Sequence, residues 1–103
     1  MKEIKIIKKE DVVYPKKLLQ IKQAPEQLYV LGNETLLSKK SVAIIGSRDC
    51  TQYGFEQAMC FAKELSKENI CIVSGMAIGI DSAAHIGAKS ELGKTIAVLG
   101  SGF

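Results

Sequence analysis

Val42-Ala43-Ile44-Ile45-Gly46-Ser47-Arg48 is the stretch that decides the fold. Its apolar run is too short and too β-branched to be a helix of its own, so it predicts a buried strand over about residues 41–46. Gly46 lets the backbone turn sharply at the strand's end, where a Cβ would clash. Arg48 is the only arginine among 14 basic residues. A planar five-donor fork beside a glycine turn suggests bidentate recognition of phosphate or carboxylate. The alternative is a surface ion pair, with Asp49 as the nearest acid, and the local sequence leaves both open.

Downstream the period changes. Thr51 is a cap for a helix from about Tyr53 to Lys67. Ala58, Phe61, Ala62 and Leu65 recur at i, i+3, i+4 and i+7, the apolar stripe of a surface helix. Asn69 suits a left-handed helix end. Ile70-Cys71-Ile72-Val73 is a second apolar strand and ends in Ser74-Gly75. A second helix, capped by Asp81, extends to about Glu91, and Ala83, Ala84, Gly87 and Ala88 allow it to approach a sheet closely. Gly93 ends that helix, and Thr95–Leu99 is a third strand followed by Gly100-Ser101-Gly102. Strand and helix alternate, with glycine at every strand's carboxyl end. The pattern predicts a Rossmann-like three-layer αβα fold with a mainly parallel sheet, incomplete at three central strands and carrying an N-terminal extension. Ligands of open α/β sheets bind at the carboxyl edge, where these glycines lie.

Residues 1–40 form the extension, expected to pack on the sheet, and residues 41–103 the Rossmann-like half. The extension reads as a strand around Ile4–Ile7, a charged turn at Lys8–Asp11, breaks at Tyr14-Pro15 and Ala24-Pro25, and a strand at Leu28–Gly32. Net charge is +3 and unevenly spread. Nine lysines face five acids in residues 1–40, whereas five basic residues face six acids beyond. The excess fits a polyanionic partner or, equally, a solvated lysine face. A composition 47% hydrophobic and 24% charged is that of a globular domain. Cys50, Cys60 and Cys71 are too widely spaced for a CxxC motif and there is one histidine, which argues against zinc and for small buried thiols in a reducing cytoplasm. The apolar stretch Ile70–Ile80 is too short and too interrupted to cross a membrane.

The loops narrow the ligand. There is no GxGxxG after the first strand, and Ser74 stands where a ribose-binding acid would end the second, which disfavours NAD and FAD. No phosphate-loop signature of the GxxxxGK[ST] kind occurs. Asp81 and His85, at i and i+4, could make a base oriented by a carboxylate, or a helix cap and a histidine packed at the helix–sheet junction. Lys94, just before the third strand, falls by position at the sheet's opposite edge if Gly93 simply caps the helix, and reaches the ligand edge only if the loop or a neighbouring subunit brings it there.

Together these motifs resemble the DNA-processing protein A family (DprA, also called Smf). The resemblance is carried by Tyr14-Pro15, Pro25…Tyr29…Gly32, Gly46-Ser47-Arg48…Tyr53-Gly54, Ser74-Gly75-Met76-Ala77-Ile78-Gly79-Ile80-Asp81…His85 and Gly93-Lys94…Gly102. It implies a non-enzymatic cytoplasmic domain that binds single-stranded DNA without a cofactor or metal and helps load the recombinase RecA in natural transformation. Carried over, Gly46, Ser47 and Arg48 would hold a phosphate, Ser74, Gly75 and Gly79 would shape the adjacent loop, and Asp81 and His85 would support it. Lys94 resembles a basic residue of the family's DNA pocket. The family's Rossmann-like domain continues past Gly102, so the chain reads as either a fragment of a larger protein or a truncated gene product, with an uncovered sheet edge that favours a homodimer or other self-association. The runner-up is a nucleotide-binding or nucleotide-processing protein, with Asp81 as its catalytic candidate. A folding fragment without activity is the third possibility.

Overall fold

The computed structural model describes residues 4–89 and 94–99, which belong to two compact units, Met1–Lys39 and Lys40–Phe103. In the first unit β1 (Ile4–Lys8) pairs antiparallel with β2 (Gln27–Leu31), in register from Ile4↔Leu31 to Lys8↔Gln27. The long connection between them is held from within. Asp11 N–H donates to Lys8 O at 2.9 Å, and Lys8 N–H donates to the Asp11 carboxylate at 2.8 Å. Tyr14 is 2% exposed, and its hydroxyl donates to Pro25 O at 2.7 Å. A buried phenol with its hydrogen bond satisfied anchors both ends of the loop. Two 3-10 turns follow, Leu18–Gln20 and Glu34–Ser38, the second begun by Asn33, whose Oδ1 accepts from Thr35 N–H at 3.1 Å.

In the second unit β3 (Ser41–Ala43), β4 (Cys71–Ser74) and β5 (Thr95–Ala97) form a parallel sheet in the order β3-β4-β5. The outer strands are shorter than their apolar runs. The ladder gains one further bond at each, Ile44 N–H to Val73 O at 3.0 Å and Val98 N–H to Ser74 O at 2.9 Å. Beyond these bonds Ile45 and Leu99 are exposed. Helix α1 (Gln52–Lys67) starts at Thr51, whose hydroxyl accepts from Gly54 N–H at 3.0 Å. Asn69, with φ of 61°, makes the left-handed turn into β4.

Helix α2 spans Ile80–Lys89, so Asp81 lies inside its first turn rather than capping it. There the carboxylate still faces the positive end of the helix dipole. With strands in consecutive order, right-handed crossovers place both helices on one sheet face. The core shows this: Ala62 of α1 and Ala84 and Ala88 of α2 pack on Ile72 of β4, with Ile44 and Leu65 against them. The second helical layer of a three-layer fold is not among the described elements.

The small residues of α2 serve the other helix as well as the sheet. A Cβ at Gly87 would fall inside contact distance of Met59 O and 2.9 Å from the Ala62 Cβ. Ser66, fully buried, donates its hydroxyl to Ala88 O at 3.2 Å across the same interface. Helices this close need small side chains on the shared stripe, and Ala58, Ala62 and Ser66 supply it from α1. Phe61 is turned out and 61% exposed, which corrects its expected place in the core. Of the three cysteines only Cys71 is buried, contrary to the expectation of buried thiols. The expected end of the second helix at Glu91, Gly93 and the Gly100–Gly102 turn lie outside the described residues. Among the described residues no helix is long and apolar enough to cross a membrane. No group of three His, Cys, Asp or Glu among them could hold a metal ion.

Candidate functional site

The chemistry gathers at the carboxyl edge of the sheet, where the loops leaving β3 and β4 interlock. Ser47 O accepts from Ile80 N–H at 3.2 Å, which joins the first loop to the start of α2. Gly79 has φ of 83°, a conformation that side chains with a Cβ rarely adopt. A Cβ there would stand 2.7 Å from Arg48 O and closer still to Ser47 O. Gly46 lies against Ile80, the nearest side-chain atom 2.8 Å from where a Cβ would be. The Ser47 hydroxyl accepts from Asp49 N–H at 3.0 Å, fixing the turn that carries Arg48.

Arg48 itself is exposed, and its guanidinium has no hydrogen-bond or ion-pair partner among the described residues. The ion pair with Asp49, open on sequence grounds, is not formed. A rigid loop therefore presents five unpaired donors in a planar fork to solvent, which suits bidentate contact with a phosphate or carboxylate.

The remaining expected residues divide. Ser74 is 3% exposed and gives its hydroxyl to Ile44 O at 2.5 Å, so the side chain ties β4 to β3 behind the loops. Asp81 is buried against Gly75, its Oδ2 2.7 Å from where a Gly75 Cβ would stand. His85 does not pair with Asp81. Its Nε2 lies 2.6 Å from Gly75 O and its Nδ1 2.7 Å from Thr95 Oγ1. A carbonyl only accepts, so Nε2 carries a hydrogen toward Gly75. Both ring nitrogens are thus engaged in holding the β4 loop to β5, and the packed-histidine alternative to the base is the one formed.

Lys94 is at the other end of the sheet. It precedes β5, accepts through its backbone carbonyl from Ile72 N–H at 3.1 Å, and donates from Nζ to Asn69 Oδ1 at 2.6 Å. The structure places it apart from the Arg48 loop, at the opposite sheet edge expected from its position, since a residue just before a parallel strand stands at that strand's amino edge. Three motif residues to which the sequence analysis gave no role in the site are large and exposed. Met76 and Ile78, on the loop after β4, are 66% and 69% exposed, and Tyr53 in the first turn of α1 is 71% exposed. Two large aliphatic side chains in a glycine-rich loop were the available signal.

A parallel β-α-β-α-β unit with two interlocked glycine loops and an unpaired guanidinium at its carboxyl edge defines a Rossmann-like α/β domain. Residues 5–103 match the family of DNA recombination-mediator protein A, and the chain belongs to that family. The chain is 45% identical over 92 residues to the DNA processing protein DprA of Streptococcus pneumoniae, a match covering 89% of this chain and 32% of that protein. It is 36% identical over 97 residues to protein Smf of Escherichia coli, covering 94% and 26%. The X-ray structure of the S. pneumoniae protein superposes with a TM-score of 0.89 at 41% identity, over 97% of this chain and 35% of that one. A Helicobacter pylori DNA processing protein A, described for a single-stranded DNA binding mode, matches with a TM-score of 0.77 at 37% identity, over 94% and 44%. The chain thus spans between about a fifth and a third of the length of the curated relatives it matches.

Proposed function

We propose that this chain forms a cytoplasmic single-stranded DNA-binding part of a DNA-processing protein, and that it acts by holding DNA, not by catalysis. The observation that supports this most is Arg48, displayed without a protein partner on a loop that Gly79 and Ile80 lock from behind. A phosphate would take the guanidinium bidentately. The exposed Met76, Ile78 and Tyr53 at the same edge offer apolar faces to unstacked bases. Gly46, Ser47, Gly75 and Gly79 set the path of the backbone; Ser74, Asp81 and His85 hold the loops from within. That a recombinase of the RecA kind receives the bound strand, and that the protein works as a dimer, belong to the same proposal and draw on family membership. The nucleotide-processing alternative rests on Asp81 alone and gains no partner base from His85, which is held by Gly75 and Thr95.

The test is fluorescence anisotropy of a labelled oligothymidylate titrated with the full chain at several salt concentrations. Binding should weaken as salt rises, and Arg48→Ala should lower affinity and flatten the log–log salt slope by about 0.7, the share of one single-strand phosphate. Arg48→Lys, which keeps the charge and loses the fork, should retain the slope and lose affinity. Salt-independent binding, or the same slope in Arg48→Ala, would overturn the assignment.

A further inference from the structure

The lysine excess of the first unit is not used by the Arg48 loop, and its arrangement is specific. Glu34 is taken by Lys5 at 2.7 Å and Glu26 by Lys9 at 3.3 Å. The Asp11 carboxylate accepts from the backbone of Lys8. Lys16, Lys17 and Lys22 are exposed, and their ammonium groups have no partner among the described residues. They sit on one fixed piece of chain. Leu18 N–H bonds to Pro15 O at 3.0 Å, Leu19 N–H to Lys16 O at 3.2 Å and Gln20 N–H to Lys17 O at 3.2 Å. Just upstream, buried Tyr14 pins the segment to Pro25 at 2.7 Å. Between and beside the lysines stand exposed aliphatic side chains, Val12, Leu19 and Ile21, with Val12 94% exposed.

From this we infer a second DNA-contact surface, on residues 12–22 of the first unit, in which Lys16, Lys17 and Lys22 bind backbone phosphates while Val12, Leu19 and Ile21 meet bases. A ligand matched to this surface carries regularly spaced negative charge and apolar faces together. Single-stranded nucleic acid has both, whereas a duplex keeps its base faces inside and an inorganic polyphosphate has none. Lysine supplies point charges that position a backbone without reading sequence. Because the turn is already ordered, little conformational freedom is lost on binding. The inference rests on the single-strand reading of the Arg48 loop and adds a site to it.

The experiment uses the full chain and a long labelled oligothymidylate. Replacing Lys16, Lys17 and Lys22 together by Ala should flatten the salt slope by about 2, three phosphates at about 0.7 each. Equivalently, raising salt from about 50 to 200 mM should weaken the native chain about 20-fold more than the triple variant. Replacing the same three by Arg should restore the native slope, which separates lost charge from lost folding. A native slope in the alanine variant with binding intact would overturn this surface and leave Arg48 standing. Absence of DNA binding by the native chain would overturn both. Retention of poly-glutamate by these lysines, with DNA binding unaffected by their loss, would assign the surface to an acidic polypeptide and overturn the inference.

Discussion

Replacing Gly79 tests whether the two loops of the site are locked by contact or by backbone conformation. The φ of 83° places an L-residue in a left-handed region, at about 1–2 kcal/mol. The added Cβ would also press on Ser47 O and on Arg48 C and O, the latter two 2.9 and 2.7 Å away. These are backbone atoms of a turn fixed by the Ser47 hydroxyl, so no side chain can swing aside. Overpacking of this kind costs about 1–3 kcal/mol, and Gly79→Ala should therefore destabilise by about 2–5 kcal/mol. Both α-helices belong to the second unit, so far-UV circular dichroism in urea follows its unfolding. At ordinary slopes the midpoint should fall by about 1–3 M. Gly79→Asn separates the two causes, because asparagine tolerates positive φ but carries the same Cβ. Contact predicts that Asn is nearly as destabilising as Ala. If the asparagine variant unfolded within about 0.5 kcal/mol of the native chain, the interlocking argument would fail. In either folded variant the Ser47–Arg48 turn is displaced, and DNA affinity should drop with it.

Gly87→Ala should lower the melting temperature, although alanine in a helix interior ordinarily stabilises by about 1 kcal/mol over glycine; the methyl would meet Met59 O across the helix pair, and a raised melting temperature would refute the close approach. Glu34 gives a pH dependence confined to the first unit. The Lys5 side-chain hydrogen bond, reinforced by a backbone hydrogen bond, holds its carboxyl below the ordinary value of 4.5. A depressed carboxyl contributes stability above its unfolded value and loses it as pH falls through the folded one. Melting of the β1–β2 amide signals by NMR should therefore come earlier at pH about 3 than at about 6, and Glu34→Gln should flatten that difference; an unchanged difference in the variant would remove Glu34 as its source.

The order of elements was legible because the apolar runs and the change of period are local properties. The strand ends were not. Val98 and Leu99 continue an apolar run, yet the ladder closes at the Val98–Ser74 bond, and hydrophobicity alone does not record where a neighbour stops. The small residues of α2 announced a close approach without naming its partner. Gly87 meets a carbonyl of α1, a fact set by the same-side placement of two right-handed crossovers. Phe61 illustrates the same limit from the other side. It follows Cys60 and precedes Ala62 on a stripe that periodicity permits, but the helix–helix distance admits only the smaller residues.

Within the site, the sequence separated type of chemistry from place less well. Gly46-Ser47-Arg48 and Gly79 were readable because a glycine demand and a single arginine fall together at a strand's end. Ser74 occupies an equivalent end, but side chains alternate along a strand, and its hydroxyl is turned to Ile44 O. Asp81 and His85 have helical spacing for a dyad, yet the histidine is drawn to Gly75 and Thr95, partners that only the third strand brings within reach. Lys94 is the sharpest case. Motif resemblance drew it toward the pocket, while its position before β5 placed it at the amino edge, where Asn69 receives it. In a parallel sheet every strand runs the same way, so a residue before a strand and a residue after one stand at opposite edges however close they lie in a motif. Arg48 follows β3 and Lys94 precedes β5; within this unit, the proposed phosphate contact at the carboxyl edge therefore falls to Arg48 and the loops that hold it.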